Sequence, residues 1–187
     1  MIDEKLIFYQ GKHVFLKVLS PQDIVESGWV GWFNDESMST HNQHHYFPNS
    51  YEQQASILKS CISSNKIQLG IVNRKNPDNI CGVVSLSEID WIHRHAEIAG
   101  IQAANQTKSN SAIFLEAWSI MLQHGFDQFG LNKIHGGTFH PHVTAALMHT
   151  FNFEVEGVRR RHVFKKGIYH DVTLVGVFKD TVKYPKF

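Results

Sequence analysis

The apolar positions change period along the chain, and the changes mark the elements. Val14 to Val18 alternates and predicts a strand. Ser20-Pro21-Gln22-Asp23 predicts a helix start, Ser20 as cap and Pro21 at the first helical position, with the helix running to Trp32. Phe33 to Ser50 carries Asn34, Asp35, Pro48 and Asn49 and predicts a long loop. Tyr51 to Ile62 has helical spacing at Ala55, Leu58 and Ile62, and Ile67 to Val72 predicts a strand. Asn76-Pro77-Asp78-Asn79 is a turn signal. Ile80 to Ile89 and Ala96 to Ala103 predict two further strands that turn near Ile92 to Arg94.

Gln106 to Ser111 is a polar loop, and a long helix from about Ala112 to Phe129 follows. Its face of Leu115, Trp118, Leu122, Phe126 and Phe129, thickened by Ile113, Ile120 and Met121, is apolar enough to demand a sheet beneath it. Gly130 ends it. Lys133 to Phe139 predicts a strand, Pro141 to Phe151 a helix, and Phe153 to Lys165 a strand that turns through Lys166-Gly167 into Ile168 to Phe178. The order β-α-α-β-β-β-α-β-α-β-β predicts an α/β (α+β) fold, a mixed and mostly antiparallel sheet with helices on both faces. The strand-loop-helix-strand unit in the second half makes its two strands parallel.

The chain has 187 residues, 42% hydrophobic and 19% charged, which predicts one globular domain over residues 1–187. Lys plus Arg is 18 and Asp plus Glu is 17, a net charge of +1, so neither nucleic acid nor an anionic membrane is an expected partner. Met1 to Lys5 does not read as a targeting segment, and no stretch approaches the roughly 20 apolar residues of a membrane span. Cys61 and Cys81 fit no zinc spacing and read as free thiols of a cytoplasmic protein.

The chemistry concentrates where the strand Glu97 to Gln102 runs into Gln106-Thr107-Lys108-Ser109-Asn110-Ser111 and then a helix. Free backbone N–H groups at such a helix start, the helix dipole and Lys108 suit a pyrophosphate. The same residues are also compatible with a solvated loop in which Ser109 or Ser111 caps the helix. The 13 histidines raise the question of a metal. His93 with His95, and His140 with His142, would each share a face, and His41, His44 and His45 have helix-like spacing, but no supporting third ligand stands at a suitable offset, so no metal is expected.

Several segments together resemble the Gcn5-related N-acetyltransferase (GNAT) superfamily, in particular its ribosomal-protein-alanine and amino-sugar acetyltransferases. They are Gly31-Trp32-Phe33-Asn34-Asp35, Ala96-Glu97-Ile98-Ala99-Gly100-Ile101, Phe126 to Ile134, Phe151 to Val158, and Gly167-Ile168-Tyr169-His170-Asp171. The resemblance covers about Gly11 to Phe178. It implies a sheet of about seven strands, with the family's fourth and fifth strands splayed around acetyl-coenzyme A, the cosubstrate. The pantetheine arm would pair with Ile101, Gln102 and Ala103, and the pyrophosphate would sit on Gln106, Thr107, Lys108, Ser109, Asn110 and Ser111. Ser109 and Ser111 stand where the family carries Gly or Ala. The family's Asn-x-x-Ser and later acid Tyr fall on Pro141, Thr144 and Met148. His140 or His142 is the candidate for the Asn contact, and no tyrosine carries over as the acid.

Attack of an amine on a thioester needs a base for the ammonium proton and a donor for the oxyanion. Glu97 is the first candidate base, acting through water, with Glu88 and then Asp90 as alternatives; the backbone N–H near Ile101 is the oxyanion donor. Glu97 is equally readable as a solvent-facing or ion-paired strand residue. The polar and aromatic run His41 to Phe47, above all His44, His45, Tyr46 and Phe47, is the expected acceptor wall. Arg159-Arg160-Arg161 is either a solvated strand end or a phosphate contact. The expected function is acetyl transfer from acetyl-CoA to a primary amine of a small molecule or nucleotide-linked amino sugar, with a homodimer left open. The alternatives are a protein N-terminal acetyltransferase and a non-catalytic binding protein of the same fold with a weakened coenzyme site.

Overall fold

The computed structural model describes residues 3–40, 46–63, 65–103 and 108–187, with backbone alone at 108–111 and 141. Among the described residues, nine strands form one sheet in the order β1-β2-β4-β5-β6-β7-β9-β8, with β3 paired to β4. They are β1 (Ile7–Gln10), β2 (Val14–Val18), β3 (Ile62–Ser63), β4 (Lys66–Asn73), β5 (Asn76–Asp90), β6 (His95–Gln102), β7 (Lys133–Thr138), β8 (Glu154–Lys165) and β9 (Ile168–Phe178). The helices are α1 (Pro21–Glu26), α2 (Trp29–Asn34), α3 (Tyr51–Lys59), α4 (Lys108–Gln123) and α5 (Pro141–Phe151). Every pairing is antiparallel except β6 with β7, the two strands joined through α4. None of the described helices is long and apolar enough to cross a membrane.

Strand alternation splits the core in two. On one face Leu16, Leu69, Val84, Leu86, Ala96 and Ile98 meet Ala117, Met121 and Leu122 of α4 and Phe151 of α5. On the other, Val72, Ile80 and Val83 meet Ile24, Trp29, Val30 and Trp32 of α1 and α2. Neighbouring Val83 and Val84 thus serve opposite clusters, as the two-residue period requires.

Four expectations are corrected. The single helix Pro21 to Trp32 is two, because Gly28 adopts φ +73° and starts α2 afresh. That break leaves Val25 exposed while Trp29 is fully buried. The turn expected at Asn76 to Asn79 lies instead at 74–75, and Asn76 already pairs with Asn73. Val72 pairs with Ile80, so Pro77 falls among extra residues of a bulge, where its missing N–H costs no ladder bond. The long helix begins earlier, at Lys108, and closes in a π-turn over His124–Gln128, with Phe129 N donating to His124 O. α3 stops at Lys59, short of Ile62, and Cys61 O then accepts from Gln68 N. Beside the about seven strands expected, the sheet carries the short β1 and β3.

A buried ion pair fixes the β2–α1 corner. Lys17 Nζ donates to both carboxylate oxygens of Asp23, at 2.7 and 2.9 Å. Ser20 donates to Asp23 Oδ2 from its backbone N and its hydroxyl, at 2.7 and 2.8 Å. Lys17 and Asp23 are only 6% and 8% exposed, so removing one partner strands the other. Asp23→Ala is expected to cost about 3–5 kcal/mol. The apolar pair Lys17→Met/Asp23→Leu should cost clearly less, a ranking read from urea-unfolding midpoints.

Candidate active site

The parallel pairing of β6 with β7 is brief. His95, Ala96 and Glu97 face Lys133, Ile134 and His135, and the pairing ends there. Beyond Glu97, β6 continues to Gln102 and β7 to Thr138 as separate strands. The splay implied by the family resemblance is therefore present. It leaves the β7-facing backbone edge of Ile98 to Gln102 without a strand beside it among the described residues. β6 leads into α4 and β7 into α5, so both helix N-termini stand on the edge where the strands part. Their dipoles favour negative charge at that edge. At the fork, a side chain at Gly136 would come 3.2 Å from Ile98 O, so a Cβ there would press on the open edge. Gly100 meets α4 on the buried face: a Cβ there would lie 3.0 Å from Trp118 Nε1, itself buried without a partner.

A cavity of about 890 Å³ opens on the other face of β6, beneath α2, α3 and the segment from Tyr46 to Asn49. Its floor is a register row: Gln68 faces Ser85, and Ser85 faces Ala99. Val83 and Ile101 continue the floor, and Lys66 stands on the same face of β4. Trp29, Phe33, Phe47 and Ile57 supply apolar walls; Asn49, Gln53 and Gln54 supply polar ones. Gln54 is 1% exposed and donates to Asn49 Oδ1 at 3.0 Å.

Glu97 lies one alternation along β6 from Ala99, on the same face as the cavity floor. It is partly buried. Burial raises its pKa above the ordinary glutamate range, the Glu88 carboxylate raises it further, and Arg159 opposes them. Glu88 is exposed at a bulge in β5, with a φ of +51° and a register shift before Asp90, and its carboxylate acts on Glu97 electrostatically. His135, the register partner of Glu97, is held below the ordinary histidine range by burial first, then by His95, Lys133 and Arg159, against Glu156. Asp90 closes the β5–β6 turn: its Oδ1 accepts from Ile92 N and His93 N, and its Oδ2 lies 3.9 Å from His95 Nε2.

The other expected residues divide sharply. Ile101 lines the cavity; Gln102 ends β6, and Ala103 packs on the α1–α2 cluster. Lys108, Ser109, Asn110 and Ser111 are not a loop but the backbone of α4's first turns. Gln106 and Thr107 lie outside the described residues, as do His41, His44 and His45. Tyr46 and Phe47 line the cavity mouth. Tyr46 is pinned by its hydroxyl, which donates to Phe164 O at 2.7 Å, and by Lys165 Nζ, 5.1 Å from its ring. His142 is exposed in the first turn of α5, its ring edge-on to His140 at 5.5 Å. Among the described residues no three His, Cys, Asp or Glu side chains converge as metal ligands.

Sequence reasoning missed Gln54, Lys66, Gln68, Ser85 and His135. Gln68 and Ser85 had a signal: each interrupts a run of apolar residues in a strand buried on both faces. Gln54 had none, because a glutamine on a mostly exposed helix reads as surface.

No protein-family model matches the chain, and no curated protein matches its sequence significantly. Solved structures do match its fold. A spermidine N-acetyltransferase from Vibrio cholerae, in complex with CoA and spermine, superposes with a TM-score of 0.76 at 19% identity, over 91% of this chain and 98% of that one. A probable acetyltransferase gives 0.77 at 20% identity, over 91% and 95%. Mycobacterium smegmatis RimJ in complex with CoA-disulfide gives 0.74 at 17% identity, over 89% and 82%. The chain thus has the fold of these acetyltransferase structures.

The charges around Glu97 make a signed prediction. Glu88→Gln removes a repelling carboxylate and should move the Glu97 titration, followed by carboxyl-carbon NMR, to lower pH; Arg159→Gln should move it higher. Stability follows the same logic. A raised folded-state pKa means the folded chain holds the proton more tightly, so this contribution is complete below the unfolded carboxylate range. It is lost as pH rises through the raised value. Glu97→Gln should therefore unfold at a higher temperature than the parent chain at neutral pH, with the difference shrinking in acid.

Proposed function

We propose that the protein is an acetyl-CoA-dependent N-acetyltransferase acting on a primary amine of a small molecule or nucleotide-linked amino sugar by direct attack. The observation that carries this reading is the adjacency of three features on β6. The strand offers an open backbone edge from Ile98 to Gln102, a cavity floor at Ala99 and Ile101, and a carboxylate of raised pKa at Glu97. The similarity in fold to structures solved with CoA supports it.

The open edge suits an extended amide-bearing arm, and the α4 N-terminus suits a diphosphate. The residues present fit acetyl-CoA in that sense. An acceptor amine in the cavity arrives as an ammonium. Glu97 takes its proton through a water molecule, a role for which a raised pKa is the better match. The neutral nitrogen attacks the thioester carbonyl, whose oxygen is held by the backbone N–H near Ile101. The carbon–nitrogen bond forms and the carbon–sulfur bond breaks; the second proton lost by nitrogen ends on the coenzyme sulfur, and Glu97 releases the first to solvent. The reading is of a cytoplasmic protein, consistent with Cys61 and Cys81 as free thiols.

A thiol-release assay over a panel of amines tests the reading, beside calorimetry with acetyl-CoA. Glu97→Gln is expected to lower kcat/KM by about 10²–10⁴-fold while the acetyl-CoA Kd stays within twofold of the parent value. Full turnover by that variant at all pH values would remove Glu97 as the base. No heat and no thermal shift with millimolar acetyl-CoA would remove the activity itself.

A further inference from the structure

The sheet face that carries the cavity floor also carries a cluster of titratable side chains at the base of the fork. His95 and Glu97 lie one alternation apart on β6, on the face opposite to Ala96 and Ile98, which are buried under α4. Lys133 and His135 are their register partners on β7, and lie opposite to the buried Ile134 in the same way. Paired strands run about 4.8 Å apart, so Glu97 and His135 stand side by side on that face. From β8, Glu156 pairs with Lys133 and lies over Gly176, the register partner of His135. Arg159 acts on both Glu97 and His135, and Glu88 acts on Glu97 from the β5 bulge.

The cluster leads away from the cavity. The rings of His135 and His95 are 5.3 Å apart, tilted by 58°. His95 Nδ1 is buried without a hydrogen-bond partner, while His95 Nε2 lies 3.9 Å from Asp90 Oδ2. His93 stacks on His95 at 6.4 Å. The side chains of His95 and Asp90 are 38% and 33% exposed, so this end meets water at the β5–β6 turn. The other end is Glu97, beside the cavity floor at Ala99. An acceptor in the cavity and a coenzyme along β6 would cover Glu97 from the Ala99 side, which leaves the histidines as the way out. The charges suit passage of a proton and not its storage. Burial first, then protonated His95, Lys133 and Arg159, against Glu156, keep His135 neutral, with one ring nitrogen open to accept. The raised proton affinity of Glu97 and the lowered affinity of His135 approach each other, so a proton moves between them without a steep step.

We propose that Glu97, His135 and His95 form one proton-carrying line from the cavity to the β5–β6 turn. Glu97, protonated by the incoming ammonium through water, gives that proton to the open nitrogen of His135. His135 passes a proton from its other nitrogen to His95 Nδ1, and His95 releases one from Nε2 to water beside Asp90. Each group ends with the charge it began with. His135 and His95 touch neither substrate and are positioning residues for the proton of Glu97. The inference rests on the acetyltransferase reading and adds the route by which its first proton leaves.

Histidine-ring NMR titrations on the full chain test the line, beside turnover of the amines that a thiol-release panel identifies. Glu97→Gln removes a carboxylate that favours a proton on its neighbour and should move the His135 midpoint to lower pH by about half a pH unit or more; His95→Gln should move it higher. In dilute buffer His135→Gln should lower kcat by about tenfold or more with the amine KM within about twofold, and added imidazole should restore most of the loss. His95→Gln, at a half-exposed position that leaves the core intact, should show the same rescue. A loss through altered packing would not respond to imidazole. A His135 midpoint unmoved in both Glu97→Gln and His95→Gln, an unchanged kcat in His135→Gln, or a loss that imidazole does not restore would each overturn the line. Coupled midpoints in a chain that turns over no amine would uphold the line and overturn the acetyltransferase reading.

Discussion

Everything at this site depends on how soon two parallel strands stop pairing. β6 and β7 share only the stretch from His95 to Glu97 against Lys133 to His135. Had the ladder continued, the backbone of Ile98 to Gln102 would have been consumed by sheet hydrogen bonds. Buried peptide groups must be paired with something. A strand that parts from its neighbour in mid-sheet therefore keeps a row of donors and acceptors for a ligand with an extended, amide-like shape. The core holds the fork in place from below: Ala96, Ile98 and Ile134 are buried under α4. The opening is built on rigid elements and not on loops.

The same fork sorts chemistry by face. Because side chains alternate across a strand, residues of β6 that point away from α4 all address the other side of the sheet. Glu97, Ala99 and Ile101 lie in that series, and so does the floor row of Gln68 and Ser85. The base candidate and the cavity are thus consequences of one register. A one-residue slip of β6 against β5 would send Glu97 into the apolar cluster under α4, at a large desolvation cost. The placement of Glu97 beside the cavity and the stability of the fold are in this respect the same constraint.

Legibility in the sequence followed the same physics. The strands β2, β4, β5, β6, β7 and β9 and the helices α4 and α5 were readable because each buries a periodic apolar face, and the mostly exposed β8 because the Lys166-Gly167 turn pairs it with β9. The breaks were less readable, since they turn on single backbone angles: Gly28 at φ +73° splits one apparent helix, and the Pro77 bulge displaces an apparent turn. Glu97 was legible as a candidate because the resemblance makes its strand the carrier of the acyl group, while its place on the cavity face follows from the register. The cavity wall was not, because its members come from α2, α3, β4 and β5, and nothing in linear order announces that Trp29, Gln54 and Ser85 share a space. His135 was hidden for the same reason, as its neighbour Glu97 is distant in sequence and becomes adjacent only through the parallel pairing.

That distinction separates what the backbone builds at the fork from what side chains line in the cavity. The open edge of β6 and the N-termini of α4 and α5 belong to backbone, and backbone is insensitive to most substitutions. The cavity wall belongs to side chains on α2, α3 and β4, which pack on one sheet face without holding the fork together. Lys66 and Gln54 belong to that wall and not to the pairing of β6 with β7, which ends at Glu97. Overall likeness at 17–20% identity to acetyltransferase structures reflects the shared fold. A fold shared with an enzyme crystallised with spermine therefore carries little weight on acceptor identity against a cavity whose own charged lining residue is a lysine.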